Sequence, residues 1–179
     1  MTLQEGGTAN DAGLGIALDL AGATYSTGYF GGANWDFNAS AIFGTTVYNS
    51  SGLRDIYLMK TDAAGVIQWV LTGGGNANDQ GNGITVDSTG ATIVVGFFGD
   101  GTAIQEPGSG PQSTFDATIG STTLNSNGGR DGFVMRVSPA GSIEWVLQVG
   151  GAGHDAASAV AVDPLGFIIV TGSNVFAVN

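Results

Sequence analysis

The chain has 179 residues, no cysteine, and 15 acidic side chains against 4 basic ones, a formal net charge of −11. That balance argues against nucleic-acid binding, which needs clustered Lys and Arg to neutralise phosphates, and the missing thiols exclude disulfides and thiolate metal sites. Glycine supplies 32 residues, yet 42 % of the chain is hydrophobic, so short strands and tight turns are expected rather than a disordered linker. In chain order, residues 1–6 (MTLQEG) come first and align with residues 145–150 (WVLQVG). They read as the tail of a strand. The opening residues carry no basic segment followed by an apolar one, so no secretion signal is visible. No stretch approaches the roughly 20 apolar residues of a spanning helix.

Residues 6–30 (GGTANDAGLGIALDLAGATYSTGYF) are restated at 74–98 (GGNANDQGNGITVDSTGATIVVGFF), and residues 150–172 (GGAGHDAASAVAVDPLGFIIVTG) begin a third copy. A long fixed period means one supersecondary unit laid down repeatedly, none able to bury its apolar face alone. Each copy predicts a hairpin: 16–19 with 23–28, 83–87 with 91–96, and 160–163 with 167–172. Asp19, Asp87 and Asp163 stand three residues before Gly22, Gly90 and Gly166. From there each carboxylate can accept backbone N–H bonds of the turn, a structural role favoured over catalysis.

A second hairpin follows a long insert, at 55–61 with 66–72 and again at 131–137 with 142–149. Ile67, Trp69 and Leu71, and likewise Ile143, Trp145 and Leu147, alternate at period two, which predicts one inward Ile-Trp-Leu face. Trp69 and Trp145 are therefore expected in packing between sheets rather than as ligand platforms. Four strands per unit, joined as a meander, match the blade of a β-propeller. The expected fold is all-β: a propeller-like array of four-stranded antiparallel blades, with about two complete and a third incomplete. Its divisions are a partial strand at 1–6, a first blade at 7–73, a second at 74–149 and an unfinished one at 150–179. The inserts (29–52 and 97–128) read as enlarged loops, the usual place for binding on a repeated scaffold.

Several residues are candidates for chemistry. The loops around Asp11, Asp79 with Asn78, and Asp155 are oxygen-rich calcium candidates, but calcium takes about six to eight oxygens and each loop offers few. A turn and strand-lead role is preferred there, so no cofactor is expected, with calcium as the alternative. His154 is the single histidine, and no GxSxG element exists, so triad chemistry is not expected. Glu106 and Glu144 would be the acids of a glycosidase, yet each reads as a solvated side chain. The Gly73-Gly74-Gly75 run lacks the Lys-Ser/Thr of a phosphate loop. Asn38 and Asn49 open glycosylation sequons.

Written out, the unit is Gly6-Gly7 with Asp11, the apolar-Asp hairpin with Gly, Tyr29-Phe30, Asp36-Phe37, Gly44-Thr45-Thr46-Val47, Asp55 to Lys60, Gly65 and Trp69. In the second copy it is Gly74-Gly75 with Asp79, Phe97-Phe98, Phe115-Asp116 in reversed order, the 120–124 segment, Asp131 to Arg136, Gly141 and Trp145. This pattern resembles the bacterial SBBP-type β-propeller repeat family over nearly the whole chain, with Arg136 where that family has Lys. The resemblance implies a propeller-like protein, usually secreted or on the cell surface, with no family-wide active site.

The third copy aligns 174–179 with 131–136, so it holds three strands and lacks a fourth, while residues 1–6 supply a fourth strand without a blade. Thr2, Leu3 and Gln4 of one copy are thus expected to complete the blade of Val175, Phe176, Ala177 and Val178 of the next, giving a homo-oligomeric ring or filament. The function expected is a non-enzymatic extracellular structural module. The alternatives are an adhesion module holding a glycan, protein or cation in the long loops, or a piece of a longer propeller.

Overall fold

A computed structural model describes residues 6–7, 9–32, 39–100 and 116–173. They form fifteen strands and no helix. The protein is all-β, its sheets are antiparallel, and none closes on itself. In chain order the strands are β1 (Gly6–Gly7), β2 (Ala12–Leu18), β3 (Thr24–Gly31), β4 (Ser40–Phe43), β5 (Thr46–Asn49), β6 (Arg54–Thr61), β7 (Ile67–Gly75) and β8 (Asn78–Val86). They continue with β9 (Thr92–Asp100), β10 (Ala117–Ile119), β11 (Thr122–Leu124), β12 (Asp131–Val137), β13 (Ile143–Val149), β14 (Ala156–Val162) and β15 (Ile168–Ser173).

The β2-β3-β6-β7 meander makes the body of the first sheet, β8-β9-β12-β13 the second, and β14-β15 a two-stranded third. Each first hairpin turns through a glycine at positive φ (Gly22, 83°; Gly90, 82°; Gly166, 89°), a conformation costly for other residues. The second hairpins turn likewise at Gly65 and Gly141.

Every first strand also carries a bulge: pairing shifts between Gly13 and Gly15, Gly81 and Gly83, and Ala157 and Ala159. Opposite it stands Gly28, Gly96 or Gly172, where a Cβ would lie 1.9 Å from the facing carbonyl oxygen. A bulge bends its strand and sharpens the twist. Here it also lets successive first strands approach. A Cβ on Gly15 would sit 3.0 Å from Ile84 Cγ2, and one on Gly83 would sit 3.0 Å from Ala159 Cα.

Burial follows this stacking. Ile56 and Leu58 of the first sheet meet Val94, Phe98, Phe133, Met135 and Val137 of the second. Ile93, Val95 and Val134 on the other face of the second sheet meet Ala157 and Val170 of the third. A further cluster, Phe30, Phe43, Tyr57 and Met59, covers part of the outer face of the first sheet.

Two expectations are corrected. The single Ile-Trp-Leu face does not form, because the pairing slips between Trp69 and Ile67 and between Trp145 and Ile143. A one-residue slip moves a side chain to the opposite face. Ile67 therefore packs with the outer cluster while Trp69 and Leu71 pack between the sheets. Ile143 packs against the first sheet and Trp145 against the third.

The inserts, read as loops, supply strands. β4-β5 pairs onto β1, and β10-β11 pairs onto the end of β7, with Ala117 opposite Gly75 and Thr118 opposite Gly74. The insert of one unit thus extends the sheet of the unit before it. The first sheet has six strands as a result.

Candidate functional site

The aspartates singled out in the sequence are placed by the turns they hold. Asp19 Oδ1 accepts the amides of Ala21 and Ala23, each at 2.9 Å. Asp87 Oδ1 accepts those of Thr89 and Ala91, and Asp163 Oδ1 those of Leu165 and Phe167. Such bonds satisfy turn amides that the hairpin ladder leaves free. Asp62 makes the same pair to Ala64 and Val66 in a second hairpin. Sequence reasoning missed it, although its spacing to Gly65 is the same.

Asp87 has a further partner. Arg136 Nη2 donates to its Oδ2 at 2.7 Å, and the same guanidinium reaches Glu144. Burial disfavours the charged Asp87, but the Thr89 hydroxyl, Arg136 and the turn amides outweigh it and hold the carboxyl below its ordinary value. A depressed folded pKa contributes stability at neutral pH that is lost as the carboxylate protonates in acid. Asp87→Ala leaves Arg136 and two amides without their acceptor. The expected loss is about 1–3 kcal/mol at neutral pH, read by urea unfolding, and the difference from the wild type shrinks as the pH falls below the ordinary carboxylate value of 3.8. Glu144, weighed as an acid catalyst, is an ion-pair partner here.

The calcium candidates lie at the joints between units. Asp79 is fully buried, and its Oδ2 accepts the Gly75 amide at 2.7 Å while Oδ1 accepts the Gly99 amide at 2.8 Å. Asp11 repeats this with Gly7 and Gly31, and Asp155 accepts the Gly151 amide at 2.7 Å. Asn78 donates its amide to the Asp100 carbonyl at 2.8 Å. These carboxylates face glycine N–H groups, which repel a cation. Among the described residues no three His, Cys, Asp or Glu side chains converge as metal ligands. His154 lies against Gly129, whose Cβ would be 2.5 Å from its Nδ1.

Sequence reasoning did not single out Asp55 and Asp131 as site residues. Each is buried, at 2 % and 0 % exposure, and each has one carboxylate oxygen with no hydrogen-bond partner. Asp55 Oδ2 accepts the Ser51 amide at 2.9 Å, and Asp131 Oδ2 accepts those of Asn127 and the Gln148 side chain. The signal available in the sequence was their recurrence at the head of the third strand in both units.

Trp69 bridges two sheets: its Nε1 donates to the Pro139 carbonyl at 3.2 Å, and its ring meets Tyr25 edge-on at 6.1 Å. The proposed assembly residues Thr2, Leu3, Gln4, Val175, Phe176, Ala177 and Val178 lie outside the described residues, as do Glu106 and Asn38.

The outer face of the first sheet holds two clefts. One of about 410 Å³ is lined by Gly13, Gly15, Ile16, Ser26, Phe43 and Tyr57 among others. The second, about 370 Å³, shares Ile16 and Ser26 and runs on to Met59 and Thr61. No helix among the described residues is long and apolar enough to cross a membrane. Comparison with known proteins gives no match, either to a protein-family model or to a curated protein sequence.

Proposed function

We propose that this chain is a non-enzymatic, propeller-like structural module, each four-stranded sheet a blade, that stacks head to tail on further copies of itself. One observation carries the reading: positions buried between sheets inside the chain are exposed, and still apolar, on its two outer faces. Ile93 is 0 % exposed against the third sheet, while Ile169, its counterpart in the next unit, is 54 % exposed. On the opposite face Ile16 is 68 % exposed, though its counterparts Ile84 and Val160 pack into the inter-sheet clusters.

The two faces are complementary in kind. Inside the chain, Thr27 comes against Gly81, where a Cβ would lie 2.1 Å from its hydroxyl. One unit later, Val95 packs with Ala157. Gly13 holds the Gly81 position on the outer face and lines the larger cleft, so that cleft is the seat for such a side chain. Thr171 holds the matching position on the far face, and it is exposed. A knob at one end and a hole at the other make a heterologous contact, which propagates or closes into a ring. The resemblance to SBBP-type repeats points the same way and supports an extracellular or surface setting. The loop-binding alternative has less support, because the described parts of both inserts are tied up in strand pairing.

Ile16→Asp and Ile169→Asp test the proposal, with particle size followed by sedimentation velocity. The wild-type chain should grow in size with concentration, and each variant alone should remain monomeric. An equimolar mixture should give a discrete dimer, since each variant keeps one intact face. A wild type that is monomeric at all concentrations, or variants that assemble as it does, would sink the reading.

A further inference from the structure

The joint between the first two sheets contains a pair of buried acids with no counter-ion. Asp55 at the start of β6 and Asp79 in β8 both lean over Gly74 of β7. A Cβ on Gly74 would lie 2.4 Å from Asp55 Oδ1 and 2.9 Å from Asp79 Oδ2. Asp79 Oδ2 has the Gly75 amide and Asp79 Oδ1 the Gly99 amide, while Asp55 Oδ2 has the Ser51 amide. Asp55 Oδ1, on the same side of Gly74 as Asp79 Oδ2, has no donor.

Two bare carboxylates side by side away from water are strongly disfavoured. The charged groups around them do not relieve this. Arg54, beside Asp55, lies over the Tyr29 ring at 4.3 Å. Arg130, near β12, faces Phe97 and pairs with Asp100 at 3.6 Å. Asp100, at the end of β9, adds negative charge. Asp116, entering β10, turns its backbone carbonyl towards Gly75. A calcium-type cation would need several more oxygens than two carboxylates supply. A proton needs two.

We infer that Asp55 and Asp79 share one proton, Asp79 Oδ2–H donating to Asp55 Oδ1, and that this bond is a pH-dependent latch between the first and second sheets. It gives the orphaned oxygen its donor and removes one of the two charges. Burial, and then the neighbouring Asp55, push Asp79 up to about 8. Burial pushes Asp55 up to about 6. Both values exceed the ordinary 3.8, so the folded chain binds more protons than the unfolded one between them. This contribution to stability is full only below the ordinary 3.8 and is lost as pH rises from there through the folded values. The joint at Asp131 differs, because the Gln148 amide donates to that carboxylate at 2.6 Å.

Asp55→Asn is the diagnostic change. Its amide nitrogen takes the place of Oδ1 and donates to ionised Asp79, while its oxygen keeps the Ser51 bond. In the wild type, the folding constant should fall by about tenfold per pH unit in the upper part of the range from pH 5 to 8. In Asp55→Asn that fall should become clearly shallower, and the variant should be the more stable protein at about pH 8. Calcium or a chelator should leave both melting temperatures unchanged. Carboxyl-carbon NMR of the wild type gives a second reading that does not depend on the variant folding. The Asp55 and Asp79 signals should titrate as a coupled pair in the same range. Two carboxylates already ionised at about pH 5 would overturn the inference. So would a variant that keeps the wild-type slope, or calcium stabilising the wild type alone.

Discussion

Gly96→Ala is expected to abolish the native fold. The added Cβ would lie 1.9 Å from the Gln80 carbonyl oxygen and 2.8 Å from Phe133 Cε1. One neighbour is backbone in the paired strand, and the other is a ring that is 0 % exposed. Neither yields without parting β8, the edge strand of the second sheet, from β9. The expected loss exceeds about 4 kcal/mol, the range reserved for strain and core disruption. Loss of near-ultraviolet dichroism at room temperature would record it. The same change at Gly172 meets the Ala156 carbonyl at the same 1.9 Å but in the two-stranded third sheet. There the damage is local, and the first two sheets persist. A Gly96→Ala protein as stable as the wild type would show that the bulge does not lock this register.

Phe133→Ala is the second large effect. Phe133 is completely buried in the cluster that joins the first sheet to the second, with Phe98, Leu58 and Ile119 among its members. Truncating a buried phenyl ring costs about 3–5 kcal/mol, a transfer term plus the cavity left behind. For a chain of this size that is a fall in Tm of about 10 °C. Leu147→Ala is the control, because Leu147 is 44 % exposed and its loss should change little. Calorimetry on the two variants side by side would separate core loss from a general effect of substitution.

The strands legible in the sequence are those whose side chains announce them. The β-branched run before Gly96 and the Phe-Val-Met run after Gly132 alternate or bury fully, and they lie in β9 and β12. The first half of β8 is the opposite case: Asn78 and Asp79 read as a turn and strand lead, yet both lie within the strand. Polar and small residues there lack the apolar alternation of a strand, and they pair around a bulge. The insert hairpins were also hidden, because their partner is a glycine tract of the preceding unit. No local pattern encodes a partner so distant.

The bulges hid the facing of Ile67 and Trp69, since period-two reasoning assumes an unbroken register. The turn aspartates, by contrast, could be read from spacing alone, because the carboxylate acts within four residues. The Asp55–Asp79 pair could not. Each has an ordinary local role, and only the packing of two units brings them over one glycine.

The hairpin β10-β11 has a consequence for synthesis. The first sheet takes its last two strands from residues 117–124, which follow β8 and β9 in the chain. A nascent chain emerging from the ribosome therefore cannot finish its first sheet until most of the second unit has been translated. Until then the glycine end of β7 is an unpaired edge, open to any extended segment nearby. Folding unit by unit from the N-terminus, the usual habit of multidomain chains, is closed to this protein. The first unit waits for the second to complete its sheet.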